Sequence, residues 1–292
     1  MQDITKTQLG ETQLTSPSLY LELTSKCNLR CPYCFNFSNE GPVRHWTAEK
    51  LLTVIQQARK LLVVEELILS GGEVLLHPYW QQIVDYGRSL GLKVSLITNG
   101  IAVTEPIISF LRSRQMQVTI SLGGTCEEED APLRGRNAWL PSVKGLAMLG
   151  QSGIRPGLTY IIHRCNLNSA QRAVELAVAH QVAWLRFSLI RKLGRAELHW
   201  DSIGLSLTER LLFLQEYTRL KHPPDLDVTV VPDSHLESLT SFFDTSSNEL
   251  NGFQAHNRTE ICLRFDGTVE LKDKRWKSWE AFWQEQIRYA HF

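Results

Sequence analysis

Three cysteines fall within eight residues, in the run Cys27-Asn-Leu-Arg-Cys31-Pro-Tyr-Cys34. Thiolates so grouped are ligands for zinc or for an iron–sulfur centre. They are too close in sequence to share one regular element, so a loop must wrap them about a common centre. A structural zinc site is closed by four ligands, and no fourth Cys or His follows at zinc-knuckle spacing; His45 is the nearest candidate and a distant one. Three thiolates on a four-iron cube leave one iron open, and an open iron is a catalytic position. The bland alternative is three unrelated, partly buried cysteines.

Such a loop needs a scaffold, and the flanking sequence alternates short apolar runs with helical patterns. SLYLELT (18–24) reads as a strand leading into the cysteines. TAEKLLTVIQQARKLL carries an N-cap at Thr47 and puts Leu51, Val54, Ile55 and Ala58 on one helix face. ELILS, KVSLIT, QVTISL, GLTYII and VAWLRFSLI follow as strands. Helical segments lie between them: YWQQIVDYGRSLG ending at Gly91, EPIISFLRSR, NAWLPSVKGLAMLGQSG with Pro141 in its first turn, and SAQRAVELAVAHQ. Six β/α-like units with short links predict a parallel sheet flanked by helices. Strands such as LILS and TYII are apolar throughout, which predicts burial on both faces. Six units are fewer than the eight of a closed barrel. The expected fold is α/β, a partial (β/α)6 TIM-like barrel with a short α+β C-terminal extension.

After Arg195 the rhythm changes. SLTERLLFLQEYTRL predicts a strongly amphipathic helix capped by Ser206 or Thr208, and LDVTVVP a strand. Residues 233–260 are polar and irregular. ICLRFDGTVELK predicts a hairpin turning at Asp266-Gly267. RWKSWEAFWQEQIRYAHF predicts an aromatic helix with Trp276, Trp279 and Trp283 near one face. The expected organisation is a polar segment over 1–17, the barrel over 18–200 and an extension over 201–292.

The 292 residues carry 31 basic and 31 acidic side chains, which argues against a nucleic-acid or membrane-surface binder. The polar N-terminus lacks the apolar core of a signal peptide, and no apolar run is long enough to span a bilayer. A cytoplasmic protein follows, and in that compartment six cysteines point to metal binding or catalysis rather than disulfides.

The C-x3-C-x2-C pattern, with an aromatic before its last Cys, resembles the signature of the radical S-adenosylmethionine (radical SAM) superfamily. Ser70-Gly71-Gly72-Glu73 after the second strand resembles that family's GGE motif, with Val74 where a proline is common. Further marks come in order: Thr98-Asn99-Gly100 after the third strand, Ser121-Leu-Gly-Gly after the fourth, Arg134-Gly135, Asn166 and Asn168 after the fifth, and Gly194-Arg195-Ala196 after the sixth. Relatives commonly have Ser-Leu-Asp where Gly123 stands, so that acid is lacking.

The resemblance implies one [4Fe–4S] cluster on Cys27, Cys31 and Cys34, with S-adenosylmethionine chelating the open iron and yielding a 5′-deoxyadenosyl radical. It implies cofactor contacts from Tyr33 beside the adenine, from Gly71 and Gly72, from Glu73 to the ammonium, and from Asn99, Ser121, Arg134 and Asn166. It also implies an electron donor such as flavodoxin or ferredoxin.

The stretch from Cys262 through Asp266-Gly267 resembles the opening of a cysteine-rich cluster extension, but the closing cysteine is missing. This lineage points to enzymes that modify ribosomally made precursor peptides by crosslinking, epimerisation or backbone excision. Cys126 and Cys165, each expected just past a strand's carboxyl end, are candidate hydrogen-atom donors to a substrate radical; the plainer alternative is small, partly buried side chains. With only polar residues before the first strand, a separate leader-recognition protein is expected. A radical SAM enzyme acting on a sugar or amino acid, and a non-catalytic iron–sulfur protein, stay open as alternatives.

Overall fold

The computed structural model describes residues 18–61, 64–231, 260–266, 268–271 and 274–276. Expectations for 1–17, for all but the last residue of 233–260, and for the aromatic segment beyond 276 lie outside the described residues. In chain order come β1 (Ser18–Glu22), α1 (Ala48–Leu61), β2 (Glu66–Ser70), α2 (Trp80–Ser89), β3 (Lys93–Thr98), α3 (Glu105–Ser113) and β4 (Gln117–Leu122). Next are α4 (Glu127–Arg134), α5 (Trp139–Gln151), β5 (Gly157–Ile162), α6 (Ala170–Ala179), β6 (Trp184–Leu189), α7 (Arg195–Leu198) and α8 (Trp200–Ile203). The chain closes with α9 (Leu207–Tyr217), β7 (Asp227–Val231), β8 (Glu260–Leu263), β9 (Val269–Leu271) and β10 (Lys274–Trp276).

The chain divides into two compact units, one of Met1–Lys26, Gly41–Ser95 and Asn257–Phe292, the other of Cys27–Glu40 and Leu96–His256. The boundary falls inside β3.

In the first unit the strand order is β10-β9-β8-β1-β2. β1 pairs in parallel with β2, Leu19 opposite Leu67 and Leu21 opposite Leu69. The helix α1 forms where its pattern predicts: Thr47 Oγ1 accepts from the Lys50 N–H (3.3 Å), and Leu51, Val54, Ile55 and Ala58 are all buried. β8 and β9 do form a hairpin, with Ile261 opposite Leu271 and Leu263 opposite Val269. Its strands are joined through 264–268, wider than a two-residue turn. β8 also lies parallel to β1, so this hairpin extends the main sheet. Lys274–Trp276 is a strand paired antiparallel with β9. Trp276 therefore does not begin a helix, because pairing with β9 fixes an extended backbone there.

In the second unit β4, β5, β6 and β7 pair in parallel in that order. β7, expected in the extension, continues the sheet beside β6 and adds a unit to the six read from the sequence. The core is aromatic at its centre. Phe187 of β6 lies edge-on to Tyr160 (5.9 Å), Phe213 (5.5 Å) and Tyr217 (6.2 Å), and is completely buried. Ser206 and Glu209 cap α9 reciprocally. That helix is less cleanly amphipathic than its sequence suggests. Arg210 is buried on its packed side, donating to the carbonyls of Leu205 and Ile190, while Leu207, Leu211 and Leu212 are exposed.

Full burial on both faces is not what β4, β5 and β6 have. In β4, β5 and β6 alternate residues (Ile120, Tyr160, Phe187) are buried under helices, while Ser121, Thr159, Arg186 and Ser188 on the other face stay half-exposed. The register aligns Ser121, Thr159, Arg186 and Thr229 in one polar row. No described helix is long and apolar enough to cross a membrane.

Phe187→Ala should destabilise the fold by about 3–5 kcal/mol, against less than about 0.5 kcal/mol for exposed Leu212→Ala. Urea unfolding of both variants checks this.

Candidate active site

In the first unit the Gly-Gly-Glu segment is shaped by the chain that leads into the cysteines. Leu23 N–H donates to the Ser70 carbonyl (2.9 Å), Gly72 N–H to Thr24 (2.6 Å) and Glu73 N–H to Lys26 (2.8 Å). A Cβ on Gly72 would lie 2.4 Å from the Lys26 carbonyl oxygen, and one on Gly71, whose φ is +142°, would lie 2.7 Å from that of Thr24. Both neighbours are backbone, so neither glycine tolerates a side chain. Glu73 is buried, and its Oε1 accepts from the Leu75 N–H at 3.1 Å, capping the 3-10 turn Val74–Leu76. Thr24 Oγ1 and Ser25 Oγ lace the same stretch to the backbone of Arg44. The ring of His45 packs edge-on to His77 at 5.6 Å.

In the second unit the three thiols sit half-buried on an irregular loop, and no disulfide joins any of the six cysteines. Cys34 N–H donates to the Cys31 carbonyl (3.1 Å). Cys27 Sγ receives the Leu29 N–H (3.4 Å) and, at 3.9 Å, Asn99 Nδ2, which also donates to Asn28 Oδ1 (2.7 Å). Asn99 thus stands beside the cysteine loop. Burial pushes the Cys31 thiol up to about 12; the neighbouring thiols Cys27 and Cys34 add to this, and the guanidiniums of Arg134 and Arg195 oppose it. Burial, reinforced by Cys31, likewise pushes the phenol of half-buried Tyr33 above its usual range.

Arg134 is buried and faces inward. Its Nε binds both oxygens of buried Asp130 (2.8 and 2.9 Å), Nη1 the Ser121 carbonyl (2.8 Å), and Nη2 Ser142 Oγ (3.0 Å) and the Ala138 carbonyl (3.3 Å). One of its N–H groups is left over after these contacts. Ser121 enters the network through its backbone. Asp130 also accepts the Gly123 N–H (2.8 Å), so an acid missing from position 123 is present beside it. A Cβ on Gly123 would meet Leu133 at 2.6 Å. Asn166 spends its amide on the backbone: Nδ2 donates to Gly123 and Ile161, and Oδ1 accepts from His163 N–H.

Two residues that sequence reasoning missed belong to this assembly: Asp130 and His163. The Asp130–Arg134 spacing of i, i+4 was the available signal. Cys126 is the N-cap residue of α4, half-buried, its thiol pushed up chiefly by burial; Cys165 is exposed in the 3-10 turn Arg164–Asn166. Both lie past the carboxyl ends of β4 and β5. Cys262 lies within β8, opposite Tyr20 and Glu270.

The donors fit an anionic cluster. N–H groups point at Cys27 sulfur, two buried guanidiniums act on Cys31, and Arg195 Nε is buried without a partner. Among the described residues no three Cys, His, Asp or Glu converge on a single ion. A cube does not require that, because its irons are bound by different thiolates.

Residues 21–177 match the model of the radical SAM superfamily, and the chain belongs to that superfamily. Its cofactors are a [4Fe–4S] cluster and S-adenosylmethionine. The chain is similar to Streptococcus suis SuiB bound to S-adenosylmethionine (14% identity, TM-score 0.68), covering 87% of this chain and 60% of that one. It is similar also to SuiB bound to precursor peptide SuiA (14%, 0.64), covering 88% and 59%. A third likeness is to anSMEcpe with bound AdoMet and Cp18Cys peptide (18%, 0.65), covering 88% and 74%. These likenesses show the fold, an α/β partial barrel of parallel strands. The chain spans about 60% of the length of SuiB.

Cys27→Ala, Cys31→Ala and Cys34→Ala should each reduce the iron content of reconstituted protein from about four per chain to near zero. A full cluster in any of them removes that thiol from the ligand set. Arg134→Met, which strands buried Asp130, should destabilise the protein by about 3–5 kcal/mol in urea unfolding.

Proposed function

We propose that this chain is a cytoplasmic peptide-modifying radical SAM enzyme that abstracts hydrogen from a ribosomally made precursor peptide. The observation that carries the reading is the cysteine loop, with three thiols and two buried guanidiniums. Cys27, Cys31 and Cys34 hold the cluster. The cluster and S-adenosylmethionine, when bound, supply one-electron cleavage of the sulfonium and a 5′-deoxyadenosyl radical.

The chain's own residues bind and orient. Glu73, held by its cap on Leu75, offers a carboxylate to the cofactor's ammonium, and Gly71 and Gly72 let the backbone approach closely. Tyr33 and Asn99 stand for the adenine and its surroundings. Ser121, Arg134 and Asn166 add further cofactor contacts, Arg134 and Asn166 being held in place by Asp130 and by backbone. The half-exposed polar row Ser121, Thr159, Arg186 and Thr229 suits the donors and acceptors of a peptide backbone. The peptide ligands of SuiB and anSMEcpe support the same substrate class. A flavodoxin or ferredoxin supplies the electron, and a separate protein recognises the leader.

Reduction of the reconstituted protein with S-adenosylmethionine should release 5′-deoxyadenosine, and a cognate precursor peptide should change in mass. Cluster without cofactor cleavage favours a non-catalytic iron–sulfur protein; cleavage with turnover of a sugar or amino acid favours the small-molecule reading. Glu73→Ala should keep the cluster and weaken S-adenosylmethionine binding about ten- to a hundred-fold in calorimetry. If the product is epimerised, Cys126→Ala or Cys165→Ala should stop product formation while cofactor cleavage persists, and product made in deuterated water should carry deuterium. Active variants without deuterium exclude both thiols as donors.

A further inference from the structure

Arg195 follows β6, yet its contacts are with the cysteine loop. Its backbone N–H donates to the Cys34 carbonyl (2.9 Å), its Nη2 to the Ser38 carbonyl (2.7 Å) and its Nη1 to Glu40 Oε1 (2.9 Å). Gly194 before it has φ of +60°, and a Cβ there would stand 2.4 Å from the Phe35 carbonyl oxygen, so the two segments meet backbone to backbone. Arg195 is only 4% exposed. Its Nε is buried without a hydrogen-bond partner. A buried donor left unsatisfied carries a desolvation penalty that an anionic acceptor relieves. Glu40 is shared with exposed Arg30 (3.2 Å) and is itself partly open to water, so it balances the buried guanidinium incompletely.

We propose that Arg195 is a positioning residue of the iron–sulfur centre: it clamps the loop from Cys34 to Glu40, and its buried charge raises the cluster's reduction potential. This rests on the ligation by Cys27, Cys31 and Cys34 proposed above. The reduced cluster carries one more negative charge than the oxidised one, so a fixed guanidinium nearby favours the reduced form. Glu40, on the same guanidinium, has the opposite effect.

The test compares reconstituted wild type, Arg195→Met, Arg195→Lys and Glu40→Gln by iron content, circular dichroism and an EPR-monitored redox titration without S-adenosylmethionine. Arg195→Met should shift the reduction equilibrium about tenfold toward the oxidised cluster, a drop of ~59 mV for one electron. Arg195→Lys keeps the charge and should stay close to the wild-type potential while losing iron faster. Glu40→Gln should move the potential upward. A folded Arg195→Met that cannot retain iron supports the clamp, and Glu40→Gln then decides the charge effect. An unchanged potential in Arg195→Met, or a downward or absent shift in Glu40→Gln, overturns the proposal. A wild type that assembles no cluster overturns the ligation instead, before any variant is compared.

Discussion

Two buried guanidiniums govern the cysteine loop. Burial pushes the Cys31 thiol up to about 12, and the neighbouring thiols Cys27 and Cys34 add to it. Arg134 and Arg195 supply the opposing charge, and each is fixed by its own contacts. Arg134 is locked to Asp130 and to carbonyls around the end of β4. Arg195 is locked to Ser38 and Glu40 on the loop itself.

The same logic runs through the glycines. The stretch Thr24–Lys26 just before Cys27 lies against Gly71 and Gly72 so closely that backbone hydrogen bonds replace side-chain packing. Gly194 meets Phe35 in the same manner. In each unit a strand's carboxyl end therefore grips a part of the chain that flanks or contains the cysteines, and it does so through backbone atoms whose geometry no side chain can perturb.

This explains what the sequence disclosed. Strands β3, β4 and β5 and the helix α1 were legible because their burial follows a clean period, as Val54 and Ile55 illustrate. Gly71 and Gly72 were legible because backbone stands where a Cβ would have to go. The helix α4 was not. Four consecutive acids and Pro132 conceal it, and its buried side includes Glu129, Asp130 and Arg134, so no apolar stripe marks it. Asp130 was hidden within that acidic run. Trp276 read as helical because aromatic spacing alone cannot register a strand partner such as β9. The contacts that Arg134 and Asn166 make within the chain were not legible. Their polar groups are taken up by Asp130 and by backbone, which depends on where β4 and β5 end.

The central claim is that three protein thiolates leave one iron of the cluster open to S-adenosylmethionine. The most direct measurement is EPR of the reduced, reconstituted protein with and without that cofactor. The account predicts a change in the cluster's g-values on addition, because the cofactor binds the open iron. An unchanged spectrum at saturating cofactor would contradict it, and would mean a cluster closed by a fourth protein ligand.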